Sequence, residues 1–223
     1  MRIAFITPTT GLVPMSWTLH MIEIVSNTIG EKFFCVPRHF RLDIARNNAV
    51  LTALSQGANY IVFIDSDVIP HVYENGELRF FPDVINRMLA WRYPIVSGIY
   101  MTTKGHPAVY RYTGGNPPYE PLSYDMIKDK ITYADAVGCG IVCVDARVFE
   151  KLKDEGYFPW FEYRVDYRFK KKGIEINELS EDIDFFDKCR KCGFKVMILP
   201  HIIGVHLHRL RMYPDGRTEV DRL

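Results

Sequence analysis

An α/β fold with a mostly parallel central sheet between two helical layers is what this sequence predicts, on three observations. Short apolar segments recur at 2–6, 32–36 and 60–64. Segments of helical period separate them, at 15–29 and 43–56, which gives the order β-α-β-α-β of a parallel three-layer half. The third segment, Tyr60-Ile61-Val62-Phe63-Ile64, is apolar throughout, as a strand buried on both faces requires.

Each element has its own signal. The strand over 2–6 is punctuated by Thr7-Pro8-Thr9-Thr10-Gly11. Trp17, Met21, Ile24, Val25 and Thr28 follow helical spacing in 15–29. Ile44, Ala45, Ala49, Ala53 and Leu54 do so in 43–56, with Gly57 as the stop. A helix over 81–91 starts near Pro82, and a strand follows over 94–99. Gly-Gly, Pro-Pro and several tyrosines mark 104–126 as hairpins and loops. A strand over 137–144, a helix over 145–153, a loop across the site over 157–173, a helix over 181–192 ended by Gly193, and strands over 194–199 and 202–208 complete the reading. No repeat and no linker is visible, so one domain over 1–208 with a C-terminal tail over 209–223 is expected. The tail's Arg209, Arg211, Arg217 and Arg222 stand among acids and read as a flexible lid or, by slight preference, as a solvated end.

Bulk properties narrow the function. The 223 residues are 48% apolar and 25% charged with a net charge of +1, which gives no footprint for nucleic acid. No apolar run reaches the roughly 18–20 residues that cross a bilayer. The first apolar run is too short for a signal peptide, and the five cysteines fit a reducing compartment, so a cytoplasmic protein, at most peripheral to a membrane, is expected. Cys189 and Cys192 have metal-knuckle spacing without a second pair, and zinc needs four ligands, so they read as a helix end.

Chemistry concentrates in five stretches. Asp65-Ser66-Asp67 follows the buried strand, and its two carboxylates project to one side of an extended exit. Open α/β sheets bind ligands there, and paired acids hold a divalent cation, although a simple turn also favours these residues. Ser180-Glu181-Asp182 places acids at a helix start, where they suit the dipole or serve as a general base. His206 and His208 share a side at period two. Arg46 and its neighbouring asparagines lie early on a helix, facing either a phosphate or solvent. Gly138-Cys139-Gly140 lets a ligand or another backbone approach a strand.

Taken in order, the stretches DIARNNAV with IVFIDSDV (43–68), VGCGIVCVDARVFEKL (137–152) and LSEDIDFFDKCRKCGFK (179–195) resemble the GT-A glycosyltransferases, in particular their inverting family-two-like members. The resemblance spans roughly 2–208. It implies a Rossmann-like α/β/α sandwich and transfer of a sugar, with inversion, from a UDP- or GDP-linked donor to an acceptor hydroxyl on a saccharide, lipid or protein. It places Thr7, Pro8 and Thr9 at the nucleotide base, Arg46 near the nucleotide, and Asp65 and Ser66 at the ribose or metal. It gives Asp67 the main carboxylate contact to Mn²⁺ or Mg²⁺, completed by His206 or its rival His208. Gly138, Cys139 and Gly140 would line the sugar pocket, and Asp182 would be the base with Glu181 behind it; some of Trp160, Phe161, Tyr163 and Tyr167 would stack on acceptor or donor rings, Trp160 and Phe161 at the acceptor, although core packing is the commoner reason for any one such aromatic.

Rival readings fit less well. A nucleotidyltransferase would show a glycine-rich basic loop after the first strand, and Thr7 to Gly11 holds one glycine and no cation. A haloacid-dehalogenase-like phosphatase would carry a threonine just after its aspartate pair, where this chain has Val68-Ile69. A binding module that kept the fold without the chemistry stays open.

Overall fold

The computed structural model describes residues 1–9, 13–37, 41–170, 173–207, 210–212 and 218–220. The first half runs β1 (Arg2–Ile6), α1 (Met15–Asn27), β2 (Glu31–Cys35), α2 (Leu42–Ser55), β3 (Tyr60–Ile64), β4 (Val68–Glu74), β5 (Glu77–Arg79), α3 (Val84–Leu89) and β6 (Ile95–Tyr100). Then come β7 (Val109–Tyr112), β8 (Tyr119–Pro121), α4 (Tyr124–Ile127), β9 (Thr132–Ala134), β10 (Ala136–Val137), β11 (Ile141–Asp145) and α5 (Ala146–Asp154). The chain continues through β12 (Arg164–Lys170), β13 (Gly173–Leu179), α6 (Glu181–Lys191) and β14 (Val196–His206), then β15 (Leu210–Met212) and β16 (Thr218–Val220).

The central sheet has the order β2-β1-β3-β11-β6-β14-β4-β5, with β9 on β14. β1 is parallel to both β2 and β3, and β6 is parallel to β14. β11 runs antiparallel to both β3 and β6. Thus β2, β1, β3, β6 and β14 all point one way, and the mostly parallel α/β/α sandwich expected from the sequence is what the chain adopts.

Alternation along the strands builds the two cores. Ala4 and Ile6 of β1, with Ile61 and Phe63 of β3, face a layer holding Ala49, Val50 and Ala53 of α2, Phe149 of α5 and Phe185 and Phe186 of α6. Ile3 and Phe5, with Val62 and Ile64, face Trp17, Met21 and Ile24 of α1 and Ile85 and Met88 of α3. Successive side chains on a pleated strand point to opposite faces, so a continuous apolar run is needed wherever both faces are covered.

Several expectations are corrected. The segment after Asp67, to which the sequence assigns no element above, is a hairpin: β4 and β5 turn around Asn75 and Gly76, whose φ values of 54° and 82° suit a tight hairpin turn. The strand expected over 137–144 is divided, with β10 pairing to β7 and β11 entering the central sheet. The 157–173 loop ends in a strand, since β12 pairs with β13. The last two expected strands are one, β14, whose register slips between Ile198 and Ile203 around Pro200. Proline lacks the N–H a ladder needs, so the irregularity falls there. The tail contains the β15–β16 pair. His208, Arg209, Arg217 and Arg222 lie outside the described residues, as do Thr10 and Gly11. Among the described residues no helix is long and apolar enough to cross a membrane.

Candidate active site

From β1 the chain moves one way to β2, then returns across β1 to β3, so the strand order reverses between β1 and β3. Ligands of open α/β sheets bind in the crevice at such a reversal, beyond the strands' carboxyl ends. Thr7 stands just past β1 and Asp65 just past β3, on the two lips of that crevice. The Thr7 hydroxyl is buried without a hydrogen-bond partner, a state that costs about 1–3 kcal/mol unless something else satisfies it. Backbone bonds from Thr7 to the Cys35 carbonyl (3.2 Å) and from Thr9 to that of Pro37 (3.3 Å) prolong the β1–β2 pairing past Pro8. A cavity of about 350 Å³ opens beside this edge, between Val36 and Pro37 and the α2 residues Asn48 and Thr52.

The Asp65-Ser66-Asp67 turn is held by its backbone. The Asp65 amide donates to the Gly140 carbonyl at 3.2 Å, and its carbonyl accepts from the Trp17 indole at 3.0 Å and the Val68 amide at 3.1 Å. The Asp67 carbonyl accepts from the Leu207 amide at 2.6 Å. His206 pairs with Val68 across β14 and β4, so His206 and Asp67 come from adjoining positions of neighbouring segments. His206 Nδ1 lies 2.7 Å from the Met101 carbonyl. That contact fixes the Nδ1–H tautomer and turns the lone pair onto Nε2, the usual preparation of a metal-ligating imidazole. Among the described residues no three His, Cys, Asp or Glu side chains gather closely enough to hold a metal by themselves. Mg²⁺-like ions are commonly held by one or two carboxylates plus substrate phosphates, so a site at the Asp65-Ser66-Asp67 turn would need a diphosphate to complete it.

Arg46 corrects the expectation of a phosphate contact. Its side chain, 3% exposed, binds the Asp65 carboxylate at 3.1 Å and forms a close ion pair with Glu181. Burial opposes its charge, but the carboxylates of Asp65, Glu181 and Asp182 around it outweigh that and hold the guanidinium protonated. Two carboxylates therefore neutralise it, and it ties the strand-end acids to the start of α6. Glu181 is corrected as well. It is 3% exposed, paired with Arg46 and hydrogen-bonded to Tyr163, and its carboxyl is pushed up chiefly by burial. A carboxylate so enclosed does not reach an acceptor hydroxyl. Asp182 differs: it is half-buried, and its Oδ1 accepts both the Ile183 amide (2.8 Å) and the Ser180 hydroxyl, leaving Oδ2 for another partner. Ser180 occupies the N-cap position of α6 but spends its hydroxyl on Asp182.

Trp160 and Phe161, expected at the acceptor, are 1% and 0% exposed. The Trp160 indole donates to the Phe149 carbonyl at 2.9 Å, and Phe161 stacks on Phe185 at 4.6 Å. Asn47 clamps both backbones: its Oδ1 accepts from Trp160 at 3.0 Å and Phe161 at 3.2 Å, and its Nδ2 donates to the Phe161 carbonyl at 2.8 Å. Their large apolar area makes them core, and they carry the 160s segment to the site. Tyr163 is exposed, at 47%. Tyr167 lies in β12, and its side chain is outside the described part.

Gly138 and Gly140 serve a neighbouring side chain. A Cβ on Gly138 would stand 1.8 Å from the Tyr100 hydroxyl, and one on Gly140 would stand 2.8 Å from its ring. The phenol occupies the space reserved for a sugar in the sequence reading and packs edge-on to His206 at 5.1 Å. Cys139 is fully buried, which pushes its thiol well up. Sequence reasoning missed Tyr100 and gave Trp17 only a place on a helix's apolar face, because an isolated aromatic has no periodic signature distinct from core packing.

It also missed the ion network bracing α6. Asp187 accepts from Tyr119 (2.8 Å), Arg164 (2.9 Å), Arg190 (2.9 Å) and Lys191 (2.7 Å). Asp184, wholly buried, pairs with Lys188 at 2.7 Å and with Arg164. The acids three apart with lysines four further on are legible as helix pairs, but their burial is not. Burial works against ionisation of Asp187, yet its hydrogen bonds from Lys191, Arg190, Tyr119 and Arg164 prevail and hold the carboxyl well below the usual range. A depressed carboxylate contributes stability above its unfolded value of about 3.9, and this is lost as pH falls toward the folded value. Asp187→Asn should therefore lower the urea midpoint at pH 7 and flatten its decline between pH 4 and pH 2. An unchanged acid limb would assign that decline to other carboxylates.

No known protein-family pattern matches the chain, and no curated protein matches it in sequence. Solved structures do. A197 from STIV superposes with a TM-score of 0.65 at 18% identity, over 100% of this chain and 95% of that one. GalNAc-T7, crystallised with UDP, GalNAc and Mn²⁺, gives 0.48 at 11% identity over 93% of this chain and 44% of that one. The uridine diphosphate N-acetylglucosamine pyrophosphorylase from Trypanosoma brucei gives 0.33 at 13% identity over 67% and 30%. The last two overlaps are too loose to carry an argument, and the first speaks to architecture alone: this chain is similar in fold to A197 over essentially the whole of both.

Proposed function

We propose that the protein is a divalent-metal-dependent glycosyltransferase that moves a sugar from a nucleoside diphosphate to an acceptor hydroxyl with inversion. The observation that carries this reading is Arg46. It joins Asp65, at the reversal point of the sheet, to the Glu181-Asp182 start of α6, so two acidic motifs 116 residues apart in sequence (65 to 181) share one crevice. The family resemblance of the motifs supplies the chemistry each would do.

On this reading the donor's nucleoside lies between the β1 and β2 ends, where the orphaned Thr7 hydroxyl gains a partner. Asp67, Asp65 and the Nε2 of His206 would hold Mn²⁺ or Mg²⁺ together with the diphosphate. The bound ion supplies charge neutralisation to the leaving diphosphate. Asp182 Oδ2 takes the proton of the acceptor hydroxyl as its oxygen attacks the anomeric carbon from the face opposite the leaving group. Arg46 and Tyr163 fix Glu181, and through it the helix start that carries Asp182. UDP-sugars and GDP-sugars should bind the parent with Mn²⁺ and lose at least tenfold in affinity with chelator or in Asp67→Ala, as read by calorimetry. Nucleotide affinity indifferent to both treatments would remove the metal from the reading.

A further inference from the structure

A groove of about 440 Å³ reaches the start of α6, between the β7–β8 sheet and the β12–β13 hairpin. Ser180 and Ile183, which flank the Glu181-Asp182 pair, line its inner end. Its walls carry the rings of Tyr110, Tyr119 and Tyr163, and its rim carries Lys104 and Glu178. The volume falls within the roughly 300–1,000 Å³ typical of small-molecule clefts.

We infer that this groove binds a neutral saccharide, the acceptor of the transfer proposed above, on which the inference rests. The chemistry of the walls selects the ligand class. A sugar ring has apolar C–H faces and a hydroxyl-bearing edge, and tyrosine presents a flat apolar body with a polar tip. Two of the tyrosines are held in place by hydrogen bonds. Tyr119 donates to Asp187 at 2.8 Å and accepts from Arg190 at 3.2 Å, while Tyr163 is hydrogen-bonded to Glu181. Rigid aromatic surfaces bind with little loss of side-chain freedom. Tyr110 reports the nearness of the base: burial, and then the charge of Asp182, pushes its hydroxyl up to about 12.

Charge argues against an anionic acceptor. Arg164 lies on the wall, but its guanidinium is already paired with Asp184 and Asp187. Lys104 and Glu178 are exposed and of opposite sign, so the rim they form offers no net charge to a phosphate. A lipid tail would want a continuous apolar wall, and Lys104, Arg164, Glu178 and Ser180 interrupt this one.

The test uses the intact protein without donor and three probes: neutral glucose, mannose and N-acetylglucosamine hexasaccharides, an acidic uronate hexasaccharide, and anionic phospholipid vesicles. Binding is read by saturation-transfer NMR and calorimetry. Lys104→Trp and Glu178→Trp are compared as groove-filling variants at exposed positions, with melting temperature as the check on folding. A neutral hexasaccharide should bind, and each variant should weaken it at least tenfold. No neutral saccharide binding, undiminished binding in both folded variants, or groove-dependent binding of the uronate or the vesicles would overturn the inference. Saccharide binding in a protein that takes up no nucleoside diphosphate sugar with Mn²⁺ would uphold the groove and reject the transferase.

Discussion

Replacing Arg46 with methionine is expected to cost about 3–5 kcal/mol of folding stability, the usual penalty for leaving one member of a buried ion pair alone. Glu181, 3% exposed, would keep its burial and lose its main counter-charge, while Asp65, at 28%, would turn to solvent. The double variant Arg46→Met with Glu181→Met should recover most of the loss, because apolar groups of similar size often replace a buried pair at no net cost. The single variant should also show a distinctive pH slope. Burial already raises the Glu181 carboxyl, so its protonated form is favoured in the folded state and stability falls as pH rises through the folded value. Guanidinium denaturation between pH 5 and pH 8 reads both effects. A single variant within about 1 kcal/mol of the parent, with no such slope, would return Arg46 to the role of a surface cation awaiting a phosphate.

Asp182→Asn is expected to reduce turnover by about 10²–10⁴-fold, the range for removing a general base, with donor affinity within about twofold of the parent. The substitution suits the site. Asparagine keeps an Oδ1 to accept the Ile183 amide and the Ser180 hydroxyl, so the helix start is preserved while the proton acceptor is lost. Glu181→Gln should behave in the opposite sense, weakening the fold through Arg46 and Tyr163 before it affects chemistry. Steady-state kinetics with separate binding measurements divide the two residues. Full turnover in Asp182→Asn would end its assignment as the base.

The layered architecture was readable in the chain because period two and period 3.6 are local properties. Tyr60 to Ile64 is a strand over those very residues, and the 15–29 and 43–56 helices appear as α1 and α2 with ends shifted by a residue or two. The β4–β5 hairpin is also written in the sequence, as Asn75-Gly76 between strand-like flanks. The split near Gly138 could not be read, because a strand that leaves one sheet for another keeps the same apolar pattern.

What the sequence alone determined is the inventory and its order: strand-end aspartates, a helix opening on Glu181-Asp182, a late histidine, and an α/β frame to carry them. Only the tertiary structure decided which of these face solvent and which face one another. It turned Arg46 from a ligand for phosphate into the link between Asp65 and Glu181. It moved Trp160 and Phe161 into the core and gave the glycines to Tyr100. The physical reason is the same in each case. A charge, an aromatic ring or a missing side chain announces only that something must be satisfied, filled or admitted, and the partner that does so lies far along the chain.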